Sequence, residues 1–121
     1  MIYITNAFAL SMLPSFRTGA DGTGAAVTVL PVADPAAWLM DAEARHGQAQ
    51  SAVGHTDTAG LFSEQLGRKV AANRISIAID GDMELLVGQY IGPRLPEGVT
   101  TLPEGASIRW MAVTLDDVGV S

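Results

Sequence analysis

The order of strand-like and helix-like stretches constrains this chain more than any other feature of its sequence. In several short runs apolar residues alternate with polar ones, a pattern typical of strands that have one buried face. The predicted strands, in chain order, are 2–5, 26–32, 75–79, 85–91 and 107–115, with a further short extended stretch at 48–53. Two helical patterns lie between them. Together they predict a layered α/β or α+β domain of about five strands and two helices.

Capping residues indicate where the two helices begin and end. The pair Asp34-Pro35 is a strong helix start, because aspartate accepts hydrogen bonds from free amides and proline fits the first helical position. The second helix is expected over 56–66, with its cap at Thr56 or Asp57. A glycine follows each helical pattern and is its expected stop.

Turn residues predict two connections. Asp80-Gly81 is the clearest hairpin turn in the chain, which makes 85–91 the return strand after 75–79. The glycine-rich segment 18–25 lacks the residues of a phosphate-binding or dinucleotide-binding loop, so we interpret it as a plain loop.

Size, cysteine content and charge limit the kinds of function. The 121 residues suffice for a single domain, 1–121. The chain has no cysteine, which excludes disulfides and thiolate metal sites, and with two histidines no metal site is expected. No apolar run approaches the roughly 20 residues that span a bilayer. The net charge of −6 disfavours long duplex nucleic acid as a partner, because duplex binders neutralise many phosphates. We therefore expect a cytoplasmic domain without membrane association, for which a small anionic ligand stays possible.

His55 is the residue whose position most suggests chemistry. It lies between Gly54 and Thr56, at the predicted junction between an extended stretch and the second helix. An imidazole there adjoins the free amides of a helix start, where anions bind. It can equally be a structural cap, and the residues alone leave both roles open. Arg74 and Arg94 are predicted at strand ends, so that they and His55 can form an anion pocket.

Four segments of the chain resemble one family. They are 3–13 (YITNAFALSML), 51–58 (SAVGHTDT), 73–75 (NRI) and 92–98 (GPRLPEG). In their order and spacing the chain is similar to the type III anti-CRISPR viral ring nucleases, a family that also has cellular members. Residues 18–50 and the tail after Leu115 match poorly.

This resemblance implies a mixed β-sheet flanked by helices and assembled as a homodimer. It implies a ligand, cyclic tetra-adenylate, bound across the two-fold axis of the dimer. It also implies cleavage without metal or cofactor, in which a ribose 2′-hydroxyl attacks the adjacent phosphorus and linear products with a 2′,3′-cyclic phosphate result. Such a reaction removes the second messenger that activates type III CRISPR effector nucleases, in the host cell cytoplasm if the protein is viral.

The functional residues of the family carry over onto matching positions. His55 matches the catalytic histidine, expected to protonate the 5′-oxygen leaving group. Glu97 matches the glutamate that assists catalysis, by acting on the 2′-hydroxyl or by orienting the ring. The positions matched to ligand contacts are Asn6, Ser11, Thr58, Arg74, Gln89 and Arg94. The chain departs from the pattern at Ala9, where members often carry serine, and at Ser11, where some carry asparagine.

Two alternatives stay open from the sequence. Leu-Pro-Glu-Gly occurs twice, around Glu97 and around Glu104, and its closeness to Arg94 favours Glu97. We expect the loop 91–103, which contains the first copy, to act as a lid over the bound ring. The alternative to an enzyme is a non-catalytic module of the same fold that binds a cyclic nucleotide or a nucleic acid.

Overall fold

Five strands and two helices form the described part of the computed structural model, which comprises residues 1–13, 26–79, 83–99 and 101–116. The elements are β1 (Ile2–Thr5), β2 (Ala26–Pro31), α1 (Pro35–His46), β3 (Gln50–Ser51), α2 (Thr56–Leu66), β4 (Glu84–Ile91) and β5 (Ser107–Asp116). A 3-10 turn, Leu10–Met12, follows β1. The predicted loop at 18–25 and the predicted hairpin turn at 80–81 lie outside the described residues. No helix within those ranges is long and apolar enough to cross a membrane.

The strands form one mixed sheet in the order β2-β5-β4-β1-β3. β1 pairs in parallel with both β3 and β4, whereas β5 pairs antiparallel with β4 and with β2. The predicted class, an α+β fold of five strands and two helices, is confirmed. Because β1, β3 and β4 run in the same direction, their carboxyl ends meet at one edge of the sheet.

Both helices pack on one face of the sheet. The buried side chains between them form one apolar cluster, which includes Ile2 and Ile4 of β1, Leu39 of α1, Phe62 of α2 and Leu86 of β4. Full burial of one such side chain contributes about 1.5–3 kcal/mol, so this cluster fixes the helices on the sheet.

The opposite face of the sheet is covered by irregular chain. Ile77 and Ile79 pack there against Leu85 and Val113. Coverage is incomplete along β2, where the Val29 side chain is 48% exposed.

Gly88 in β4 makes room for the aromatic pair that seats α2 on the sheet. A Cβ atom at this position would lie 2.7 Å from Phe62 Cζ and 2.7 Å from Trp110 Cζ3. The two ring centroids are 4.7 Å apart and the ring planes are inclined by 55°. A tilted pair of this kind contributes about 0.5–1.5 kcal/mol beyond its buried area. The glycine therefore sets how closely α2 approaches the sheet.

An ion pair links α1 to the chain that follows α2. Both carboxylate oxygens of Glu43 accept hydrogen bonds from the Arg68 guanidinium, and Ala49 N–H donates to Glu43 Oε2 at 2.8 Å. The hydrogen bonds from Arg68 hold the pKa of the Glu43 carboxyl below its ordinary value, although burial opposes this shift. The pair is thus a charge-dependent connection between the two helical elements.

The predicted strand at 75–79 is wrong. This segment is not part of the sheet, and the fifth strand is instead the short β3. Ile77 and Ile79 are buried, whereas Ile75 is 41% exposed, because the segment packs on the sheet face and is not paired in the sheet. Alternation shows which side chains are buried and does not show whether the backbone is paired. The hairpin is wrong for the same reason, since β4 pairs with β1 and β5.

The helix boundaries are as predicted, but one cap differs. The Asp34 carboxylate accepts a hydrogen bond from Ala37 N–H at 3.1 Å and caps α1. The cap of α2 is His55, and not Thr56 or Asp57. The residue with the strongest claim to chemistry therefore also has a structural role.

Candidate functional site

The predicted site residues come from segments that follow the parallel strands. Asn6 directly follows β1, His55 lies shortly after β3, and Arg94 lies shortly after β4. In open sheets of this kind ligands bind at the carboxyl ends of the strands, where loops and helix starts converge. The topology therefore brings segments that are far apart in sequence to one edge.

An open cleft of about 980 Å³ lies between the start of α2 and the loop after β4. Residues 92–99 are called the Arg94 loop below. The residues that line the cleft are His55, Thr56, Asp57, Thr58, Arg94, Leu95, Pro96, Glu97 and Gly98. The predicted site residues found together in it are His55, Thr58, Arg94 and Glu97. Glu104, in the second Leu-Pro-Glu-Gly copy, does not line the cleft.

His55 caps α2 and lines the cleft at the same time. Its backbone is extended, with φ −124° and ψ 131°, and its Nδ1 accepts a hydrogen bond from Asp57 N–H at 3.3 Å. Because Nδ1 is the acceptor, the neutral imidazole carries its proton on Nε2. This nitrogen can donate a hydrogen bond to an oxygen of a bound phosphate ester.

Two hydrogen bonds hold the Arg94 loop. Near its start the Tyr90 hydroxyl donates to the Pro93 carbonyl at 2.5 Å, and near its end Gly98 N–H donates to Asp57 Oδ2 at 2.9 Å. Gly98 has φ +85°, a left-handed conformation that glycine adopts without strain. The loop is therefore fastened both to β4 and to the first turn of α2.

Several arginines are free to bind an anion. Among the described residues, Arg45 and Arg68 form ion pairs with carboxylates, whereas Arg74, Arg94 and Arg109 have no such partner. A guanidinium without a carboxylate partner suits bidentate phosphate binding, even in a chain whose net charge is −6.

Arg74 lies beside the cleft without lining it. Its Nε atom is 3.6 Å from the position that a Cβ atom on Gly54 would occupy. The neighbouring Asn73 fixes this segment, since its backbone N–H donates to the Val53 carbonyl at 2.7 Å. Arg74 is thus held next to the residue that precedes His55.

The remaining predicted ligand contacts lie elsewhere. Asn6 and Gln89 line a separate groove of about 360 Å³, together with apolar side chains that include Phe8 and Met111. Ser11 lines a third hollow of about 390 Å³, alongside residues 75–78. The structure therefore does not bring all the predicted contacts of one chain into one cavity.

Sequence reasoning gave no site role to two residues that the structure places beside predicted site residues. Asp57 was expected only as a helix cap, and no local pattern could link it to Gly98, 41 residues away. Arg109 lies opposite Gln89 in the register of β4 and β5. Opposed side chains of an antiparallel pair have Cβ atoms about 4.5–5.5 Å apart, so the two are neighbours. The pairing of the strands, which the sequence did not reveal, was the missing signal.

Metal binding has no obvious place in the described residues. Among them, no group of three or more His, Asp or Glu side chains is arranged to hold a metal ion.

Comparison with known proteins gives the family. No curated protein matches the sequence. A solved structure, B116 of Sulfolobus turreted icosahedral virus (STIV), superposes with a TM-score of 0.70 over 93% of this chain and 97% of that chain. The two sequences are 24% identical, so this match supports the fold. The family model described as STIV B116-like matches residues 2–107. The chain therefore belongs to the STIV B116-like family.

Proposed function

We propose that this protein is a metal-independent ring nuclease that cleaves cyclic tetra-adenylate and so switches off type III CRISPR signalling. The observation that carries the proposal is the meeting of His55, Thr58, Arg94 and Glu97 in one cleft. Of the residues carried over by resemblance, these include both of the catalytic ones. The resemblance to viral ring nucleases supports it, and so does membership in the STIV B116-like family, which is named after a viral protein.

The proposed reaction is an internal transesterification. The 2′-oxygen of one ribose attacks the adjacent phosphorus, the P–O2′ bond forms, and the P–O5′ bond breaks. The 2′-hydroxyl proton passes to a base, for which Glu97 is the candidate in the cleft, and His55 Nε2 donates a proton to the departing 5′-oxygen. The protein mainly aligns the three reacting atoms, because the nucleophile belongs to the substrate. No metal or cofactor takes part in this scheme.

Fixed positive groups would stabilise the charge that builds up on the phosphorus centre. Arg94 lines the cleft, Arg74 adjoins it, and Thr56 and Thr58 of the first turn of α2 also line it, at the positive end of the helix dipole. A site of this kind binds a small anion locally although the chain as a whole repels long polyanions. Cyclic tetra-adenylate, and not duplex nucleic acid, is accordingly the proposed partner.

The proposed assembly is a homodimer with the ring bound across its two-fold axis. A ring of identical units suits an isologous pair, because each contact residue is then offered twice. The separation of Asn6 and Gln89 from the cleft within one chain is in keeping with a ligand that reaches beyond a single cleft.

One observation favours the alternative, a non-catalytic binding module. The Nδ1 atom of His55 is already engaged as the cap of α2, so a purely structural histidine would have the same contact. If the cleft binds cyclic tetra-adenylate but does not cleave it, the protein sequesters the ring.

A single incubation separates these functions. Purified protein is mixed with cyclic tetra-adenylate in the presence of EDTA, and the products are resolved by mass. We expect linear products ending in a 2′,3′-cyclic phosphate, formed at the same rate with and without EDTA. Binding of an intact ring would support the sequestering module. Loss of cleavage in EDTA, restored by a divalent cation, would contradict the metal-independent mechanism.

A further inference from the structure

We propose that Asp57 is a positioning residue that fastens the Arg94 loop to the first turn of α2 and thereby sets Arg94 and Glu97 against His55. This inference rests on the proposed function for its kinetic consequence. Its structural part stands on contacts within the chain alone.

The contact is direct and joins distant segments. Gly98 N–H donates to Asp57 Oδ2 at 2.9 Å, and Gly98 is the residue immediately after Glu97. A hydrogen bond from an amide to an ionised carboxylate is stronger than one between neutral groups. The position of the Glu97 backbone relative to α2 therefore depends on this bond.

Asp57 is also tied to His55 through its own backbone. Its N–H donates to His55 Nδ1 at 3.3 Å, while its carboxylate receives the amide of the loop. One residue therefore contacts both sides of the cleft, the imidazole on α2 and the turn that carries Glu97. Among the described residues no hydrogen bond or ion pair joins His55 to Glu97 directly, so Asp57 is the residue that connects the two.

The charge of Asp57 makes a binding role for it unfavourable. A carboxylate that lines a cleft for a polyanion repels the ligand, yet Arg94 is not paired with it. Its charge is instead directed at a backbone amide, which leaves the Arg94 guanidinium available for a phosphate. The Asp57 carboxylate is therefore better explained by its hydrogen bond to the Arg94 loop than by contact with a ligand.

The second Leu-Pro-Glu-Gly copy supplies a matched comparison within the chain. Gly98 has φ +85° and Gly105 has φ +82°, and a Cβ atom added at either would meet nothing within 4 Å. Alanine at either position is therefore strained to the same degree by its backbone. Only Gly98 donates its amide to Asp57, in the hydrogen bond called the latch below, and only Gly98 lines the cleft. Gly105→Ala therefore controls for the backbone strain alone, whereas Gly98→Ala places the same strain at the latch.

The structural test needs no ligand. Exchange of the Gly98 amide hydrogen is followed by NMR in the wild type, Asp57→Ala and Asp57→Asn. We expect it to become about tenfold faster in Asp57→Ala, with Asp57→Asn close to the wild type because the Asn amide oxygen accepts the same hydrogen bond. Thermal unfolding of each variant checks that it is folded. An unchanged exchange rate in Asp57→Ala overturns the latch, whatever the protein does to cyclic tetra-adenylate.

The kinetic test uses cyclic tetra-adenylate under single-turnover conditions. We expect Asp57→Ala and Gly98→Ala to cleave at least tenfold more slowly, while Asp57→Asn and the control Gly105→Ala stay within about twofold of the wild type. The ring's dissociation constant in Asp57→Ala should change less than threefold, because the loss of a repulsive charge offsets the weaker positioning of Arg94.

Cleavage by Asp57→Ala at the wild-type rate overturns the proposal. So does an Asp57→Asn variant that is as slow as Asp57→Ala while Gly98 stays protected, since the carboxylate would then act in proton transfer. If the wild type cleaves no ring, the proposed function fails and the exchange experiment alone decides on the latch.

Discussion

His55 has two roles that compete for one nitrogen atom. As a cap it must accept the Asp57 N–H at Nδ1, which requires that nitrogen to be unprotonated. As a general acid in the proposed reaction it must carry protons on both ring nitrogens before one is transferred. An Nδ1–H group would then face the Asp57 N–H donor. In the proposed mechanism the acid form of His55 therefore gives up its cap bond, whereas the hydrogen bond from Gly98 to Asp57 does not depend on the imidazole.

Substitution of His55 by two different residues separates the two roles. Asparagine is among the best cap residues and cannot act as an acid at neutral pH, whereas alanine does neither. We expect His55→Ala to lower the unfolding free energy by about 0.5–2 kcal/mol, and His55→Asn to retain most of it. Both should slow cleavage by about 10²–10⁴-fold. Urea unfolding and single-turnover cleavage measure the two effects. A His55→Asn variant that cleaves at the wild-type rate would leave the histidine as a cap alone.

Added volume at Gly88 should lower the stability of the core. The methyl group of Gly88→Ala would overlap both Phe62 and Trp110, and overpacking of a core costs about 1–3 kcal/mol. Gly54→Ala is the matched control, because its Cβ atom would make ordinary contacts with Arg74 at 3.6 Å or more. Urea unfolding of both variants should show a clear loss for Gly88→Ala and a small change for Gly54→Ala. Equal stabilities would mean that the aromatic pair shifts freely.

Elements with local signals were predicted well from the sequence, and elements that depend on distant partners were not. The ends of α1 and α2 are set by Asp34 and by the glycine that follows each helix. These residues act through contacts with residues only a few positions away, so the sequence alone predicts them. The segment 75–79 shows a strand pattern, but its pairing depends on which other strands take the neighbouring places in the sheet. β3, with only two residues, owes its place to β1 rather than to its own composition.

The candidate site follows the same division. His55 and Arg94 each stand after a strand, so their neighbourhood could be expected from chain order. The Asp57–Gly98 hydrogen bond and the place of Arg109 beside Gln89 depend on which distant segments meet in the fold. No local sequence pattern predicts either of them.

The link between α1 and the end of α2 should make stability depend on pH. The pKa of Glu43 is lowered in the folded state, so its contribution is complete above the unfolded pKa of about 4.3 and is lost as the pH falls through the lower folded value. At pH 7, Glu43→Gln should destabilise by about 1 kcal/mol, discounted for the exposure of Arg68. The difference from the wild type should shrink towards pH 3 in urea unfolding. Asp41→Asn, in a more exposed pair with Arg45, should show a much smaller difference at pH 7.

The two Leu-Pro-Glu-Gly turns predict opposite outcomes for the same substitution. Glu97 lines the cleft and Glu104 does not, although both follow a proline and precede a glycine of positive φ. Glu97→Ala should reduce single-turnover cleavage by about 10²-fold or more, as expected for a lost proton-transfer group. Glu104→Ala should leave the rate unchanged within about twofold. Equal losses, or a larger loss at Glu104, would show that the resemblance has been aligned to the wrong copy.

At the scale of the whole molecule, charge and topology point in different directions. The net charge of −6 opposes any polyanion, whereas the ends of the parallel strands gather arginines that have no carboxylate partner among the described residues. The proposed ligand contacts also divide between the faces of the sheet. Along β4, Gly88 and Tyr90 belong to the helix side, and Gln89, which alternates with them, lines the groove on the opposite side.

A tetra-anionic ring held by one copy of this chain would meet few positive groups, which leads to a prediction about assembly. One cleft offers Arg94, with Arg74 beside it, and a two-fold pair offers each of them twice. We therefore expect sedimentation to show a homodimer before ligand is added, and calorimetry to give one ring per two chains. In the dimer, Arg94→Gln removes two guanidinium groups from the site of one ring. The variant should therefore bind the ring more weakly, and the slope of its affinity against salt concentration should fall by about two phosphate contacts. Arg45→Gln, which removes a cation already paired with a carboxylate, is the charge-matched control and should leave both nearly unchanged. A monomer at micromolar concentration that binds one ring tightly would contradict the pooling of arginines. In that case the acidic chain would have to hold the ring from a single edge of its sheet.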